Sequence, residues 1–330
     1  MRSAIVGLGA IAPTHYDAII RAGGEVIAVC DTDEGQAERF FERTGCTAPL
    51  YRSLPEMLAA GGFDVLHICT PHYLHAEMVT NALAAGYHVL CEKPLCIREK
   101  DIPRILAAEK NSGKHLGVCL QNRYNAANIE ARRLARDARA GLGTVVWERG
   151  AGYYASGAWR GRWETEGGGV MINQALHTLD LLIWMMGMPD SVRATCENRH
   201  LEGIIEVEDT ASALFSYEDG RRFNFFATTA GGCDMPVQVT LTGNGHTVTA
   251  TPDTLTVDGH AVEKEGGHAK IGKDVWGDGH AKLVADFYRS VEDDTPFAID
   301  GEEGAKVVRA ILAMYRSHGK ETPLTKGETR

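Results

Sequence analysis

The sequence predicts an α/β protein of two domains: a doubly wound parallel sheet, then an α+β domain on an open, mostly antiparallel sheet. Three observations predict it. Short apolar runs alternate with helical patterns through the first third of the chain, the order that builds a parallel sheet covered on both faces. After Gly143, strand-like runs separated by turn residues take over. The chain has 330 residues, 44% hydrophobic and 24% charged, enough for two cores of ordinary size and large for one.

The predicted elements follow in order. Ser3–Leu8 is a short apolar run and Thr14–Ala22 a helix. Glu25–Cys30 is a strand ending at Asp31, and Asp33–Arg43 a polar helix. Ser53 caps a short helix to Ala60, with Glu56 at the capping-box position. Asp64–Cys69 is a strand. Tyr73–Ala85 is a helix with Ala76, Val79 and Leu83 at helical spacing, closed by Gly86. His88–Cys91, Lys100–Lys110, His115–Leu120 and Ala126–Ala140 continue as strand, helix, strand and helix. Strands are then predicted at Thr144–Glu148, Ser191–Asn198, Asp209–Tyr217, Arg222–Thr228, Val237–Thr242, His246–Ala250 and Thr254–Val257. Turns fall at Glu218–Gly220 and Gly243–Gly245. The helix Val170–Met186 interrupts them, and Gly279–Glu292 and Gly301–His318 close the chain. The domains are set at 1–122 and 123–330, with a C-terminal helix free to pack back on the first.

Composition narrows the function. A net charge of -10 repels nucleic acid and anionic lipid, so neither is an expected partner. The N-terminal apolar stretch is too short for a signal peptide, and Leu179–Met186 falls short of a bilayer span. A cytoplasmic location is expected. The eight cysteines form no CxxC pair. Cys30, Cys69 and Cys119 fall in predicted buried strands, where cysteine acts as a small apolar residue. Neither a disulfide framework nor a metal site is expected.

The first strand runs into Gly7, Leu8, Gly9, Ala10, Ile11 and Ala12, a GxGxxA. Gly7 permits the tight turn, Gly9 lets backbone approach a pyrophosphate, and Ala12 allows close helix–strand packing at a helix N-terminus. Asp31 ends the second strand, where a carboxylate accepts from adenosine ribose hydroxyls and repels a 2′-phosphate. NAD is therefore expected over NADP. The alternative is a structural glycine turn with a solvated Asp. The context of strand, turn and helix at the start of the chain selects a Rossmann dinucleotide-binding domain.

Two further strand ends are chemically marked. One carries Thr70, Pro71 and His72, with His75 on the next helix; the other carries Glu92, Lys93 and Pro94. Ligands of open α/β sheets bind at the carboxyl ends of strands. These residues, with Gln121, are assigned to the cofactor. Lys93 before a rigid proline reads as a fixed cation, against the alternative of a surface salt bridge.

In the second domain, Gly167–Gly169 precede an apolar helix whose Asn173, His177 and Asp180 lie at i, i+4 and i+7 on one face. That stripe is either a satisfied core network or a polar site. Asp180 one turn beyond His177 offers to fix its tautomer. Arg123, Tyr154, Trp159, Arg160 and Trp163, together with Asn173 and His177, are assigned to the substrate, because aromatic and guanidinium groups suit sugar rings. The alternative is an aromatic anchor that packs a loop.

GLGAIA (7–12), CTPHYLH (69–75), CEKP (91–94) and GGGVMINQALHTLD (167–180), in this order, resemble the Gfo/Idh/MocA oxidoreductases. So do DGHAKLVADFYRSV (278–291) and PFAIDGEEGAKVVRAI (296–311), so the resemblance spans essentially the whole chain. It implies NAD-dependent oxidation of a secondary alcohol of a sugar, cyclitol or glycoside, and a homodimer or homotetramer. It places the lysine of the EKP motif at Lys93 and the histidine of the glycine-led helix at His177. His177 is then expected to take the hydroxyl proton while Lys93 steadies the alkoxide. The family pattern usually has Asp four residues before that histidine; here stands Asn173, which cannot accept a proton. A redox-neutral glycosidase or epimerase that retains NAD would show the same motifs, and a non-catalytic sensor would share the fold.

Overall fold

The computed structural model describes residues 1–262 and 278–324. It forms two compact units. The first comprises Met1–Cys96, Lys100–Gln121 and the described residues 278–305; the second comprises Ile97–Glu99, 122–262 and 306–324. The division is thus not a single cut near residue 122, since the chain returns to the first unit late in the sequence.

The first unit contains β1 (Arg2–Val6), α1 (Ala12–Arg21), β2 (Glu25–Cys30), α2 (Glu34–Thr44), β3 (Leu50–Tyr51), α3 (Leu54–Ala60), β4 (Val65–Ile68), α4 (His75–Ala84), β5 (His88–Cys91), α5 (Asp101–Ser112) and β6 (Leu116–Val118). The strands form one parallel sheet in the order β3-β2-β1-β4-β5-β6. All four residues of β4 are buried, as a strand covered on both faces requires. The order reverses between β1 and β4, which opens a crevice at their carboxyl ends. Gly117 shows why the late return is built in. A Cβ there would stand 2.8 Å from both Leu90 and Phe287, so the missing side chain makes room for a phenylalanine of the late segment.

The second unit continues with α6 (Ala126–Leu134), β7 (Ala140–Val146), α7 (Ala151–Ala155), α8 (Val170–Asn173), α9 (Leu176–Met186), β8 (Ser191–Glu197), β9 (Thr210–Ser216), β10 (Arg222–Thr228), β11 (Gln238–Gly243), β12 (His246–Ala250), β13 (Leu255–Val257) and β14 (His260–Ala261). The chain closes with α10 (Gly279–Glu292) in the first unit, α11 (Gly301–Ser317), and β15 (Thr322–Pro323). The nine strands of the second sheet run β14-β13-β12-β11-β7-β10-β9-β8-β15. Only the β7–β10 pairing is parallel; the others are antiparallel.

Two expected elements differ. The helix expected over 126–140 stops at Leu134, and a strand starts at Ala140. Gly141 and Gly143 hid the first half of that strand, expected only from Thr144, because glycine is depleted in strands. They are glycines for packing: a Cβ would stand 2.9 Å from Met186 and Phe223 at Gly141, and 2.7 Å from Phe225 at Gly143. The helix expected over 170–186 is broken into α8 and α9. Ala175 N–H reaches back five residues to the Val170 carbonyl at 2.8 Å, widening the turn between Asn173 and His177. The short elements β3, α7, β14 and β15 were too brief to announce themselves by periodicity.

Candidate active site

In the first unit the glycine turn is fixed by strand ends. Gly7 N–H donates to the Cys30 carbonyl at 2.8 Å, and its φ is +84°. A Cβ there would stand 2.7 Å from the Cys69 carbonyl carbon, so only glycine fits. Leu8 N–H donates to Asp31 Oδ2 at 2.7 Å and Asp33 N–H to Oδ1 at 2.8 Å. Asp31 therefore holds the turn itself, and a carboxylate with about four acceptor sites retains two. α1 begins at Ala12 without a side-chain cap, and a Cβ on Gly9 would meet nothing within 4 Å. An open backbone face before an uncapped helix N-terminus fits a pyrophosphate. Leu8 itself is buried, so of the assigned turn residues it offers backbone alone.

The strand-end residues divide into buried clamps and a half-buried cation. His75 is fully buried. Its Nδ1 lies 2.7 Å from the Pro94 carbonyl and its Nε2 2.8 Å from the Thr70 carbonyl. Burial lowers its pKa, although both carbonyls favour the charged ring. It ties the segments after β4 and β5 together and so frames the pocket expected to hold the cofactor. His72 is buried beside it, with ring centroids 5.9 Å apart. Gln121 is buried where the chain leaves the first unit. Lys93, by contrast, is only half-buried.

Glu92 is buried and serves as a hub. His15 Nε2 lies 2.9 Å from its Oε1, Lys93 N–H donates to its Oε2 at 3.1 Å, and His280 Nε2 stands 3.8 Å from Oε1. Burial pushes its pKa up, but its polar contacts with His15 and His280 outweigh it and hold the carboxyl well below its usual range. His15, Glu92 and Cys119 bring metal-type donor atoms within 4.8 Å of one another. The 2.9 Å His15–Glu92 contact is a direct hydrogen bond; two donors on one zinc with bonds of about 2.0 Å stand about 3.3 Å apart.

In the second unit, Asp180 does not stand alone beside His177. Arg123 grips it in a two-point pair, Nε to Oδ2 at 2.9 Å and Nη2 to Oδ1 at 2.6 Å, both side chains buried. The guanidinium also lies 5.7 Å from the Trp184 ring centroid. Arg123, expected at the substrate, and Asp180, expected to orient His177, thus form a buried ion pair that pins α9. Tyr154 also leaves the substrate set: it is buried in a cluster with Leu201, Ile205 and Val207. Its neighbour Tyr153 is half-buried, and its hydroxyl accepts from Asn173 Nδ2 at 3.3 Å and Gln174 Nε2 at 3.2 Å. Arg160 lies over the Tyr153 and Trp159 rings, at 4.8 and 5.1 Å. Trp163 is exposed and donates its Nε1–H to the Glu206 carbonyl at 2.9 Å. His177 sits in the first turn of α9, 8% exposed.

Sequence reasoning missed Glu166. It is fully buried and accepts from Asn173 Nδ2 at 2.6 Å and from Gly161 N–H at 2.5 Å. Burial raises its pKa to about 7. The Asn at position 173 now has a reason, because an Asp there would face this carboxylate. Its only sequence signal was a Glu just before a glycine triplet.

Asn173→Asp is expected to destabilise the chain more at pH 8 than at pH 6. Glu166 has a folded pKa of about 7, above its unfolded value of about 4.3. Its contribution is therefore fully present below the unfolded pKa and lost as pH rises through 7. A second carboxylate raises the folded pKa further and extends the loss to higher pH, at about 1.4 kcal/mol per pH unit for one proton. Melting temperatures at the two pH values check this; an equal drop at both would contradict it.

The comparisons with known proteins agree with this geometry. Residues 1–120 match the model of the oxidoreductase family with the NAD-binding Rossmann fold, and residues 144–325 match the C-terminal alpha/beta domain of the same family. The chain belongs to the Gfo/Idh/MocA family of NAD-binding oxidoreductases. It is similar to the D-glucoside 3-dehydrogenase of Escherichia coli, 23% identical over 96% of this chain and 95% of that protein. It is also similar to the WlbA dehydrogenase of Chromobacterium violaceum, crystallised with NADH and UDP-GlcNAcA. That likeness has 30% identity and a TM-score of 0.85, covering 99% of this chain and 97% of the other. The WlbA dehydrogenase of Bordetella pertussis, with the same two ligands, also has 30% identity and a TM-score of 0.85, over 98% of each chain. The protein is an enzyme whose cofactor is NAD. Among the described residues no helix is long and apolar enough to cross a membrane.

Proposed function

We propose that the protein oxidises a secondary hydroxyl of a sugar, cyclitol or glycoside to the ketone. Bound NAD+ supplies the hydride acceptor. The observation that carries this reading is Lys93, a half-buried cation just after β5, in the same parallel sheet whose β1 ends in a glycine turn that fits the cofactor. The Asp31 side of the switch point takes the adenosine half. The β4–β5 side, closed by Pro71, Glu92 and Lys93, takes the nicotinamide half. Lys93 donates a hydrogen bond to the reacting oxygen and stabilises its developing charge. His177 accepts the hydroxyl proton. Full-length similarity to a protein crystallised with UDP-GlcNAcA adds nucleotide-linked uronates to the substrate classes worth testing.

Absorbance at 340 nm tests the proposal, with NAD+ and a panel of cyclitols, hexoses, glycosides, sugar acids and nucleotide-linked uronates. Continuous NADH formation with one class is expected. Consumption of the sugar with no net NADH would replace this reading with a redox-neutral cycle.

A further inference from the structure

Glu92 ends a buried line of side chains that the proposed chemistry does not use. Its Oε1 meets His15 Nε2 at 2.9 Å. His15 Nδ1 meets His67 Nδ1 at 2.9 Å, His67 Nε2 meets Tyr288 Oη at 3.0 Å, and Tyr288 Oη meets Ser3 Oγ at 2.5 Å. Ser3, His15, His67 and Tyr288 are at most 3% exposed. The line crosses the first unit from α1 through β4 to α10 and β1.

Proton positions follow from counting donors. A carboxylate only accepts, so His15 Nε2 carries a hydrogen toward Glu92. With His15 neutral, its Nδ1 accepts from His67 Nδ1–H, His67 Nε2 accepts from Tyr288, and Tyr288 accepts from Ser3. Every donor then points toward Glu92. Burial keeps His67 well below the usual imidazole pKa, as a neutral link requires. Aligned hydrogen bonds polarise one another, so the far members of the line strengthen the last bond. Other groups near Glu92 include Lys93 just after β5, Cys119 just after β6, His75 on α4, Cys69 and Cys91 at the β4 and β5 ends, and His280 on α10. A buried carboxylate is costly unless donors surround it, and here a dedicated line of four residues keeps it charged.

We propose that the Glu92 carboxylate, held ionised by the line Ser3–Tyr288–His67–His15, biases the cofactor pocket toward NAD+ over NADH. The inference rests on the nicotinamide half lying at the β4–β5 ends. The oxidised ring is cationic and becomes neutral when it accepts hydride. A fixed anion there stabilises the first form more than the second. Glu92 and the line are positioning residues; none of them transfers the hydride or the substrate proton.

The test is the ratio of dissociation constants, Kd(NAD+)/Kd(NADH), from NADH fluorescence and its competition by NAD+. Glu92→Gln is expected to raise the ratio about tenfold, the size of one charge acting across roughly 10 Å of protein. Tyr288→Phe keeps the ring but cuts the line, and is expected to raise the ratio about two- to threefold. An unchanged ratio in a folded Glu92→Gln protein overturns the proposal. If that variant does not fold, an unchanged ratio in Tyr288→Phe overturns it. Lys93→Ala separates this from the underlying reading. If its turnover collapses while the Glu92→Gln ratio is unchanged, only the charge role fails. If both are unchanged, the nicotinamide placement fails too.

Discussion

Lys93→Ala is expected to lower turnover by about 10²–10³-fold, and His177→Ala by about 10²–10⁴-fold, with NADH affinity within a few-fold of the unmodified protein. The two residues act differently. Lys93 has its backbone N–H on a carboxylate already fixed in the core, so its main chain is set before substrate arrives. As a cation beside the reacting oxygen, its loss falls on the step where negative charge develops there. His177 is assigned to the proton, so its loss falls on the same step but responds to pH. Raising pH is expected to restore part of the His177→Ala rate, because hydroxide and buffer bases compete for the proton, and none of the Lys93→Ala rate. Single-turnover measurements of NADH formation across pH check this. Turnover retained in either variant would remove that residue from the mechanism.

The fold was legible because its signals are local. Strand ends carry Gly7, Asp31, Thr70 and Glu92, and each is followed by a helical pattern. The glycine-bearing first half of β7 was illegible because its residues are chosen by what fills the space above them, Phe223 and Phe225 from β10. The candidate site divides the same way. Lys93 and His177 stood out because their residue types are unusual where they lie. Glu166 did not, since its meaning depends on burial against Asn173, a contact made by folding. Arg123 and Asp180 show the reverse. Each looks functional alone, yet each is the other's partner, and a buried ion pair needs both. His15, His67 and Tyr288 lie 52 and 221 residues apart along the line, and no spacing rule connects such positions.

The two glycine-rich segments are expected to fail in opposite ways. Gly169→Ala should cost about 3 kcal/mol of stability or more. A Cβ there would stand 1.9 Å from the Glu208 carbonyl oxygen, which is backbone and cannot swing aside. The same residue caps α8: its carbonyl accepts from Val170 N–H at 3.0 Å, and its carboxylate from Gly169 N–H at 2.9 Å and Met171 N–H at 3.0 Å. Tyr315 donates to that carboxylate at 2.9 Å, and Gly168 is kept bare because a Cβ would meet the Tyr315 hydroxyl at 2.0 Å. One methyl group therefore disturbs the cap, the buried Glu208 and the start of the segment carrying Asn173. Gly9→Ala adds the same methyl where nothing lies within 4 Å. Its stability should stay within about 1 kcal/mol. Its methyl, however, stands where backbone is expected to meet the pyrophosphate, so its NADH affinity should fall about tenfold. Denaturant midpoints and NADH titrations on both variants separate the two. If Gly9→Ala bound NADH as tightly as the unmodified protein, the turn would not be the phosphate seat, whatever its resemblance to one.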